Sequence, residues 1–188
     1  MARIVNKPAL CAFLDLIAKS EGTSSSPASR DDGYDIIVTG VTGPNTFTNY
    51  STHPFANDEP PILVRPTQSA TYGPDPKNPK GPPILLSGPI PAIYSTASGR
   101  YQIIKPTWEH LAPKYQIKSF SPQNQDLLGL YLLDECHATD FILAGNVSNA
   151  IDAAANTWAS FPGNLYGQGG HSLEELCQWY YQLLTAQP

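Results

Sequence analysis

Apolar residues near the start of the chain recur at the spacing of one helix face. They are Leu10, Phe13, Leu14 and Ile17. Asn6 suits the N-cap of such a helix, Pro8 its first turn, and Gly22 the position just past its end. The pattern therefore predicts a first helix, with a lone carboxylate, Glu21, at its carboxyl end.

The next apolar positions alternate with polar ones, which is typical of short strands. Polar residues 23–33 separate this stretch from the first helix. The stretch YDIIVTGVTGPNTFTNYS carries turn residues at Gly43-Pro44-Asn45 and then resumes with aromatic and threonine residues. We expect two or three antiparallel strands here, with the turn at those three residues.

Residues 55–93 have a different composition from the rest of the chain. Eleven of the 19 prolines fall between Pro54 and Pro91. Two similar phrases, EPPILVRP and GPPILLSGP, lie on either side of YGPDPKNPKG. The segment is either a flap whose two arms pair around that centre or a disordered loop. A second folded domain of about forty residues without disulfides or metals is not expected.

From residue 104 onward the apolar positions follow a helical period. The predicted helix starts are Lys105-Pro106, Ser121-Pro122, Ser148 and Ser172. Ser148 is expected to cap a helix that carries Trp158, and Ser172 forms a capping box with Glu175. One helix, a small sheet with a long loop and four or five further helices predict an α+β fold with the sheet as a side lobe.

Composition and charge narrow the range of partners. The chain of 188 residues has a net charge of -5, which argues against nucleic acid or an anionic membrane surface as the main partner. The apolar run of the first helix is interrupted by Asp15, so it is typical of a globular helix and not of a signal peptide or a membrane anchor. We therefore expect no stable membrane insertion.

The three cysteines lie at scattered spacings. Cys11, Cys136 and Cys177 form no CxxC pair and are not accompanied by a cluster of histidines. This pattern predicts reduced thiols in a reducing compartment, with no zinc site. No glycine-rich phosphate loop is present, and we expect no metal, nucleotide or redox cofactor.

Glu21 is the residue with the clearest chemical potential. A carboxylate at a helix carboxyl end faces the negative end of the helix dipole, which disfavours its ionised form. Apolar neighbours would add a desolvation effect, and both raise the pKa toward values suited to a general acid. An exposed glutamate at a helix end is the alternative, because the dipole effect alone is only about 0.3–1 kcal/mol.

Six sequence blocks occur in order along the chain. They are FLDLIAKSEGT, GYDIIVTG, FTNYSTHP, STASGRYQ, FSPQNQDLLGL and AIDAAANTWASFPGNLYGQ. Together they closely resemble the lambda-type phage endolysins, which are lytic transglycosylases with a lysozyme-like fold. The resemblance covers residues 9–54 and 94–168 and implies one lysozyme-like catalytic domain over residues 1–188.

The resemblance assigns roles to individual residues. Glu21 in SEGT matches the single catalytic glutamate of the family, and the GRYQ block places Gln102 on the wall of the cleft. The WASFPG run resembles an element that forms the floor of the sugar site. The implied substrate-binding residues are Gln102, Tyr101, Arg100, Tyr50, Ser51, Asn156, Tyr166 and Gln168.

Several of these residues have a structural alternative. Trp158 could pack in the core instead of stacking on a sugar, and Arg100 could pair with a surface acid. Tyr34 and Tyr101 could be half-buried, with hydroxyls bonded to the backbone. For His53, a structural or exposed role is favoured over proton transfer.

Asp35 determines which reaction is expected. A hydrolase of the two-carboxylate kind needs a second acid, and Asp35 opens a strand from which it could face the sugar. The lambda-type family carries an aspartate in the same GYD context and works with one acid. The resemblance therefore implies that Glu21 first protonates the glycosidic oxygen and then takes the proton from the C6 hydroxyl of the N-acetylmuramic sugar.

That reaction cleaves the β-1,4 bond between N-acetylmuramic acid and N-acetylglucosamine and leaves 1,6-anhydromuramic ends. An intramolecular nucleophile has a high effective concentration, so no second carboxylate is required. The alternatives are a hydrolytic lysozyme on the same fold and a non-catalytic module for wall binding or the virion.

The resemblance also implies partners and a location. The expected substrate is the glycan strand of peptidoglycan, attacked in the periplasm by a monomeric enzyme during host lysis. We expect accumulation in the host cytoplasm and release through a separate pore-forming protein. Residues 55–93 are longer than their family counterpart, and they are either an enlarged upper lip of the glycan groove or a tolerated surface insertion.

Overall fold

The computed structural model describes residues 1–3, 7–163 and 170–187. Within these ranges the chain forms six helices and six short strands. The helices are α1 (Pro8–Ser20), α2 (Lys105–Lys114), α3 (Pro122–Glu135), α4 (Ala138–Leu143), α5 (Val147–Ala154) and α6 (Leu173–Thr185). The strands are β1 (Ile36–Gly40), β2 (Gly43–Thr46), β3 (Ile62–Arg65), β4 (Thr71–Gly73), β5 (Ile84–Ser87) and β6 (Ile93–Ser95). The predicted α+β class is confirmed.

The six helices α1 to α6 together are called the helical body. Helix α1 lies at its centre. Phe13, Leu14, Leu16 and Ile17 are completely buried, so the helix is apolar on nearly every side. It packs against α6, α4 and α3. A helix surrounded in this way is held rigidly, and so is the residue at its carboxyl end.

The ends of α1 follow the prediction at one terminus only. Gly22 has a φ of 71°, the left-handed conformation that glycine adopts easily after a helix. At the other end Lys7 occupies the N-cap position, and its own side chain makes no capping hydrogen bond. The prediction that Asn6 is the N-cap is therefore wrong, because Pro8 sets the helix start one residue later. Asn6 itself lies outside the described residues.

The predicted start of α3 at Ser121-Pro122 and the predicted cap of α6 at Ser172 are confirmed, whereas the predicted cap at Ser148 is wrong. The hydroxyls of Ser121 and Ser172 accept the backbone N–H of the third residue of α3 and α6. Helix α5 begins at Val147, and Ser148 lies inside its first turn. The helix ends at Ala154, so Trp158 follows the helix and is not carried on it.

Strands β1 and β2 form a short antiparallel hairpin. Gly40 pairs with Gly43, so the chain reverses between them and the predicted turn at Gly43-Pro44-Asn45 is wrong. The residues that indicated a turn form β2 instead. A Cβ atom at Gly40 would approach Ile62 to 2.4 Å, so the close contact of the hairpin with β3 requires glycine.

Residues 62–95 form a two-stranded antiparallel ribbon. Strand β3 pairs with β6 and β4 pairs with β5, with a bridge between Gln68 and Ile90. Of the two alternatives, the structure has the flap. Its two similar phrases do not pair with each other, because each aliphatic run pairs with a tyrosine-containing segment opposite. The hydrophobic residues of β5 are exposed.

The base of the ribbon continues into the hairpin and toward the helical body. Val41 donates its backbone N–H to Leu63 at 2.9 Å, and Val38 donates to Ala97 at 2.9 Å. Gly99 donates to Ile36 at 2.7 Å. These bonds place the segment that follows the ribbon along the inner edge of β1.

Candidate active site

Glu21 lies at the C-cap of α1. Its backbone N–H donates to the carbonyl of Ile17 at 2.9 Å, so the residue continues the helical hydrogen bonding. Its side chain is half-buried. The carboxyl group is therefore fixed at the negative end of a buried helix, as the sequence predicted.

Two serines connect Glu21 to the segment that follows α5. The hydroxyl of Ser160 donates to Glu21 Oε1 at 2.8 Å. Ser160 Oγ lies 2.9 Å from Ser20 Oγ, and Ser20 Oγ lies 2.9 Å from the carbonyl oxygen of Ile17. Ser160 belongs to the WASFPG run, but no local pattern predicts a role for either serine, because the contact with Glu21 joins positions 139 residues apart.

Burial raises the pKa of Glu21 above its ordinary value. Hydrogen bonds from the side chain and backbone of Ser160, and the positive charge of His171, act in the opposite direction without overcoming burial. A carboxyl group with a raised pKa retains its proton nearer to neutral pH. This is the property required of a general acid.

The GRYQ block lies against both parts of this site. Thr23 Oγ1 donates to the carbonyl of Arg100 at 2.6 Å, and Trp158 Nε1 donates to the carbonyl of Tyr101 at 3.1 Å. The backbone of residues 100–101 therefore joins the segment after Glu21 to the segment before Ser160. Gln102 follows directly, and its side-chain amide donates to the carbonyl of Gly99 at 3.0 Å.

The side chains of Arg100 and Tyr101 are buried, which contradicts their predicted contact with substrate. Arg100 is 1% exposed and pairs with Asp15 at 2.7 Å and with Asp32 at 2.9 Å. The hydroxyl of Tyr101 donates to Asp126 at 2.6 Å. Neither side chain is exposed to solvent, since Tyr101 is also 1% exposed. Both hold the GRYQ backbone in place from below, and the acid alternative for Arg100 is confirmed with a buried partner.

Besides Asp15, a second buried carboxylate, Asp126, belongs to the network of side chains that holds the GRYQ backbone. Asp126 accepts the hydroxyl of Tyr34 at 2.7 Å as well as that of Tyr101, and burial raises its pKa. The prediction that the hydroxyls of Tyr34 and Tyr101 bond to backbone groups is wrong, because both donate to the side chain of Asp126. The network was not predicted, since it joins residues from α1, the strand region and α3 that are distant in sequence.

The remaining predicted binding residues lie in different environments. The hydroxyl of Tyr50 donates to Asp31 at 2.9 Å, and its ring packs on Phe47 with centroids 5.1 Å apart. Ser51 and Asn156 are exposed to solvent. Their contact with substrate stays a prediction. Tyr166 and Gln168 lie outside the described residues.

His53 and Trp158 have structural roles. His53 is fully buried, accepts the backbone N–H of Phe55 through Nδ1 at 3.2 Å and donates from Nε2 to Ile103 at 2.9 Å. Burial lowers its pKa, which keeps the ring neutral in this arrangement. Trp158 is 3% exposed. The structural interpretations of both residues are confirmed.

Asp35, the candidate second acid, is held within its own loop. Its Oδ1 accepts the hydroxyl of Ser29 at 2.5 Å and its Oδ2 accepts the backbone N–H of Arg30 at 2.9 Å. The residue is buried, with 5% of its surface exposed. Both carboxylate oxygens therefore stabilise the turn that precedes β1.

The described residues contain neither a metal-binding cluster nor a membrane-spanning helix. No group of three histidine, cysteine or acidic side chains in the described ranges is arranged to hold a metal ion. None of the helices in that part of the chain is long and apolar enough to cross a membrane.

The fold and the acid at the end of α1 define a class of protein. Two solved structures of bacteriophage lambda lysozyme resemble the chain, and each comparison covers 96% of both chains. One structure, a complex with a chitohexasaccharide, has a TM-score of 0.69 at 31% identity, and the other has a TM-score of 0.67 at 30% identity. The protein is a lysozyme-like glycosidase.

Comparison of sequences identifies the family. The endolysin family model matches residues 11–73 and 80–186. The endolysin of Escherichia phage P2 is 41% identical over 168 residues, which are 89% of this chain and 87% of the relative. That of Escherichia phage lambda is 35% identical over 166 residues, or 88% and 84% of the two chains. The chain belongs to the endolysin family of phage enzymes that degrade peptidoglycan.

Proposed function

We propose that the enzyme is a lytic transglycosylase that cleaves the β-1,4 bond between N-acetylmuramic acid and N-acetylglucosamine. The observation that carries the proposal is the contrast between two carboxyl groups. Glu21 is half-buried with a raised pKa, whereas both oxygens of Asp35 are bound within its loop. A reaction in which the same acid acts twice suits an enzyme with one available acid.

In the first step Glu21 donates its proton to the glycosidic oxygen, and the bond to C1 of the muramic sugar breaks. In the second step the ionised Glu21 accepts the proton of the C6 hydroxyl of the same sugar while that oxygen bonds to C1. Glu21 ends the cycle protonated, and no water is consumed. Acid–base catalysis of this kind contributes about 10²–10⁴-fold to the rate.

Product analysis tests this reaction against hydrolysis. Peptidoglycan digested in H₂¹⁸O is examined by mass spectrometry. A transglycosylase yields 1,6-anhydromuramic ends without the heavy isotope. Reducing ends that carry one ¹⁸O atom would show a hydrolytic lysozyme and overturn the proposal.

We propose a glycan-binding cleft that runs past Glu21. The lambda lysozyme complex with a chitohexasaccharide supports a glycan ligand for this fold. The proposed contacts are Gln102, Tyr50, Ser51, Asn156, Tyr166 and Gln168. Alanine substitution of exposed Asn156 should raise KM for soluble glycan fragments, and an unchanged KM would remove it from the cleft.

We propose that the ribbon is an enlarged upper lip of this cleft. A groove of about 570 Å³ lies between the β1–β2 hairpin and the ribbon base. Amide and hydroxyl side chains line much of it, including Asn45, Asn49, Thr52 and Asn57. Groups of this kind suit the hydroxyl and acetamido groups of a glycan.

The proposed setting is host lysis. The enzyme accumulates in the host cytoplasm as a monomer and reaches the wall through a pore made by another protein. Fractionation of expressing cells, with and without a co-expressed pore-forming protein, tests the route. Light scattering after gel filtration tests the monomer, and a stable dimer mass would contradict it.

A further inference from the structure

Four oxygen atoms form a continuous row that ends at the carboxyl group of Glu21. The carbonyl of Ile17 is 2.9 Å from Ser20 Oγ, which is 2.9 Å from Ser160 Oγ, which is 2.8 Å from Glu21 Oε1. Ser20 is 8% exposed, so its end of the row has little access to water. The row connects the last turn of α1 to the loop after α5.

The number of hydrogens allows two complete arrangements of this row. Each serine hydroxyl has one hydrogen and can both donate and accept. When Glu21 is ionised, Ser20 donates to Ser160 and Ser160 donates to the carboxylate. When Glu21 is protonated, its hydroxyl donates to Ser160, Ser160 donates to Ser20, and Ser20 donates to the carbonyl of Ile17.

We propose that Ser20 and Ser160 form a reversible hydrogen-bond relay that holds Glu21 in place both as an acid and as a base. The proposal rests on the proposed function, in which one carboxyl group takes both roles in succession. When Glu21 loses or gains its proton, both serine hydrogens rotate, and no heavy atom moves. Ser20 and Ser160 are positioning residues, since neither is required to touch the sugar.

The relay accounts for a requirement of single-acid catalysis. A hydrogen-bond donor alone would favour the ionised carboxylate and an acceptor alone would favour the protonated form. Ser160 can stabilise both the ionised and the protonated form of Glu21 if its other hydrogen-bond partner can either donate or accept. Ser20 provides that partner, and the carbonyl of Ile17 terminates the row.

Among the described residues, charged groups on α1 and on the elements next to it have partners of their own. The charge of His171 acts on Glu21, and His171 Nδ1 lies 3.2 Å from Glu175 of α6. Lys19, on the same helix as Glu21, lies over the ring of Trp179 at 4.2 Å. On α3, Asp126 is bonded to two tyrosine hydroxyls. The serines are therefore the neutral groups that change orientation when Glu21 titrates.

Removing each serine should shift the titration of Glu21 in opposite directions. In Ser160→Ala the carboxylate loses a donor, so the pKa of Glu21 rises. In Ser20→Ala the hydrogen of Ser160 loses its alternative acceptor and points permanently at the carboxylate, so the pKa of Glu21 falls. Each shift should be about one pH unit, the size expected for one hydrogen bond to a charged group.

The experiment is an NMR titration of the ¹³C-labelled Glu21 carboxyl group in the full chain without substrate. The basic limb of the kcat/KM profile on peptidoglycan should move with it, since that limb follows the pKa of the acid in the free enzyme. Ser160→Thr retains a hydroxyl and should restore the original profile. Ser148→Ala, which removes an exposed serine from α5, should leave it unchanged.

Shifts of both alanine variants in the same direction, or no shift in Ser20→Ala, would overturn the relay. If Ser20→Ala fails to fold, Ser20→Cys provides the same test, because a thiol is a weak acceptor and should lower the pKa of Glu21. Product analysis is independent of this titration. Opposite shifts with reducing-end products would overturn the transglycosylase and leave the relay.

Discussion

The helical body and the ribbon are built in opposite ways from the same kinds of residue. In the helical body, large apolar side chains such as Phe13, Leu14 and Ile17 are completely buried. In the ribbon, Tyr72 is 65% exposed, Leu86 is 60% exposed and Leu85 is 54% exposed. The helical body is held by side-chain packing, whereas the ribbon is held by its backbone ladder and its base.

The two regions therefore meet two different requirements of the enzyme, support of the catalytic carboxyl group and access of the glycan. A carboxyl group whose pKa depends on burial needs a rigid, water-excluding support, and α1 supplies it. An isolated two-stranded ribbon is only marginally stable in water, so the ribbon cannot supply such support. We infer that the chemistry depends on the helical body and that the ribbon affects access of long glycans.

The largest expected effect comes from the acid itself. Glu21→Gln keeps the shape of the side chain but removes the proton, so turnover of peptidoglycan should fall by about 10²–10⁴-fold while the fold is retained. Release of soluble fragments and circular dichroism measure the two properties. The matched control is Glu109→Gln, which changes an exposed glutamate of α2. Equal activity of the Glu21 variant would undo the assignment of Glu21 as the catalytic acid.

The second effect concerns stability and compares the two regions directly. Phe13 packs edge-on against Phe161 and Tyr180 with centroids 6.0 Å from each, so Phe13→Ala should lower the free energy of unfolding by about 3–5 kcal/mol. Leu85→Ala on the ribbon should change it by about 0.5 kcal/mol or less. Urea denaturation measures both, and similar losses would contradict the comparison.

The third effect concerns the access of long glycan strands to the cleft. Replacement of residues 68–90 by Asn-Gly joins the two arms of the ribbon above its base. Turnover of intact sacculi should fall several-fold, because the proposed lip is lost, while the free energy of unfolding changes by no more than about 1 kcal/mol. Soluble glycan fragments serve as the control substrate. Unchanged turnover of sacculi would identify the ribbon as a tolerated insertion.

The smallest effect is a pH dependence of stability in the helical body. Burial lowers the pKa of His53 from its ordinary value of 6.5, so the unfolded chain binds this proton more readily than the folded chain. His53 therefore contributes full stability above pH 6.5, and that contribution is lost progressively as the pH falls from this value through the lower pKa of the folded state.

Urea denaturation between pH 7.5 and pH 5 checks this dependence. His53→Gln should flatten the loss of stability on acidification, whereas His110→Gln, which removes an exposed histidine, should leave it intact. The same pH dependence of the free energy of unfolding in His53→Gln and in wild type would contradict the assigned role of His53.

Local signals in the sequence located several of the secondary-structure elements. The apolar spacing of α1 and the glycine at position 22 located the helix and the carboxylate at its end. The capping box at Ser172 located α6. These predictions succeed because they depend on residues within one or two turns of each other, where backbone geometry and side-chain chemistry act directly.

Local signals failed where tertiary contacts compete with them. Gly43-Pro44-Asn45 indicated a turn, but pairing with β1 makes these residues a strand. Arg100 indicated a surface contact, but buried Asp15 holds it inside the protein. The ribbon pairing was also ambiguous, since prolines weaken the strand signal without excluding strands.

The sequence by itself therefore determined the fold class, the endolysin resemblance and the position of Glu21 at a helix end. Only the tertiary structure decided that Glu21 is half-buried, that Asp35 is bound within its loop and that Ser160 reaches the carboxyl group. A pKa depends on the dielectric environment and on hydrogen bonds, and both arise from residues far apart in sequence that folding brings together.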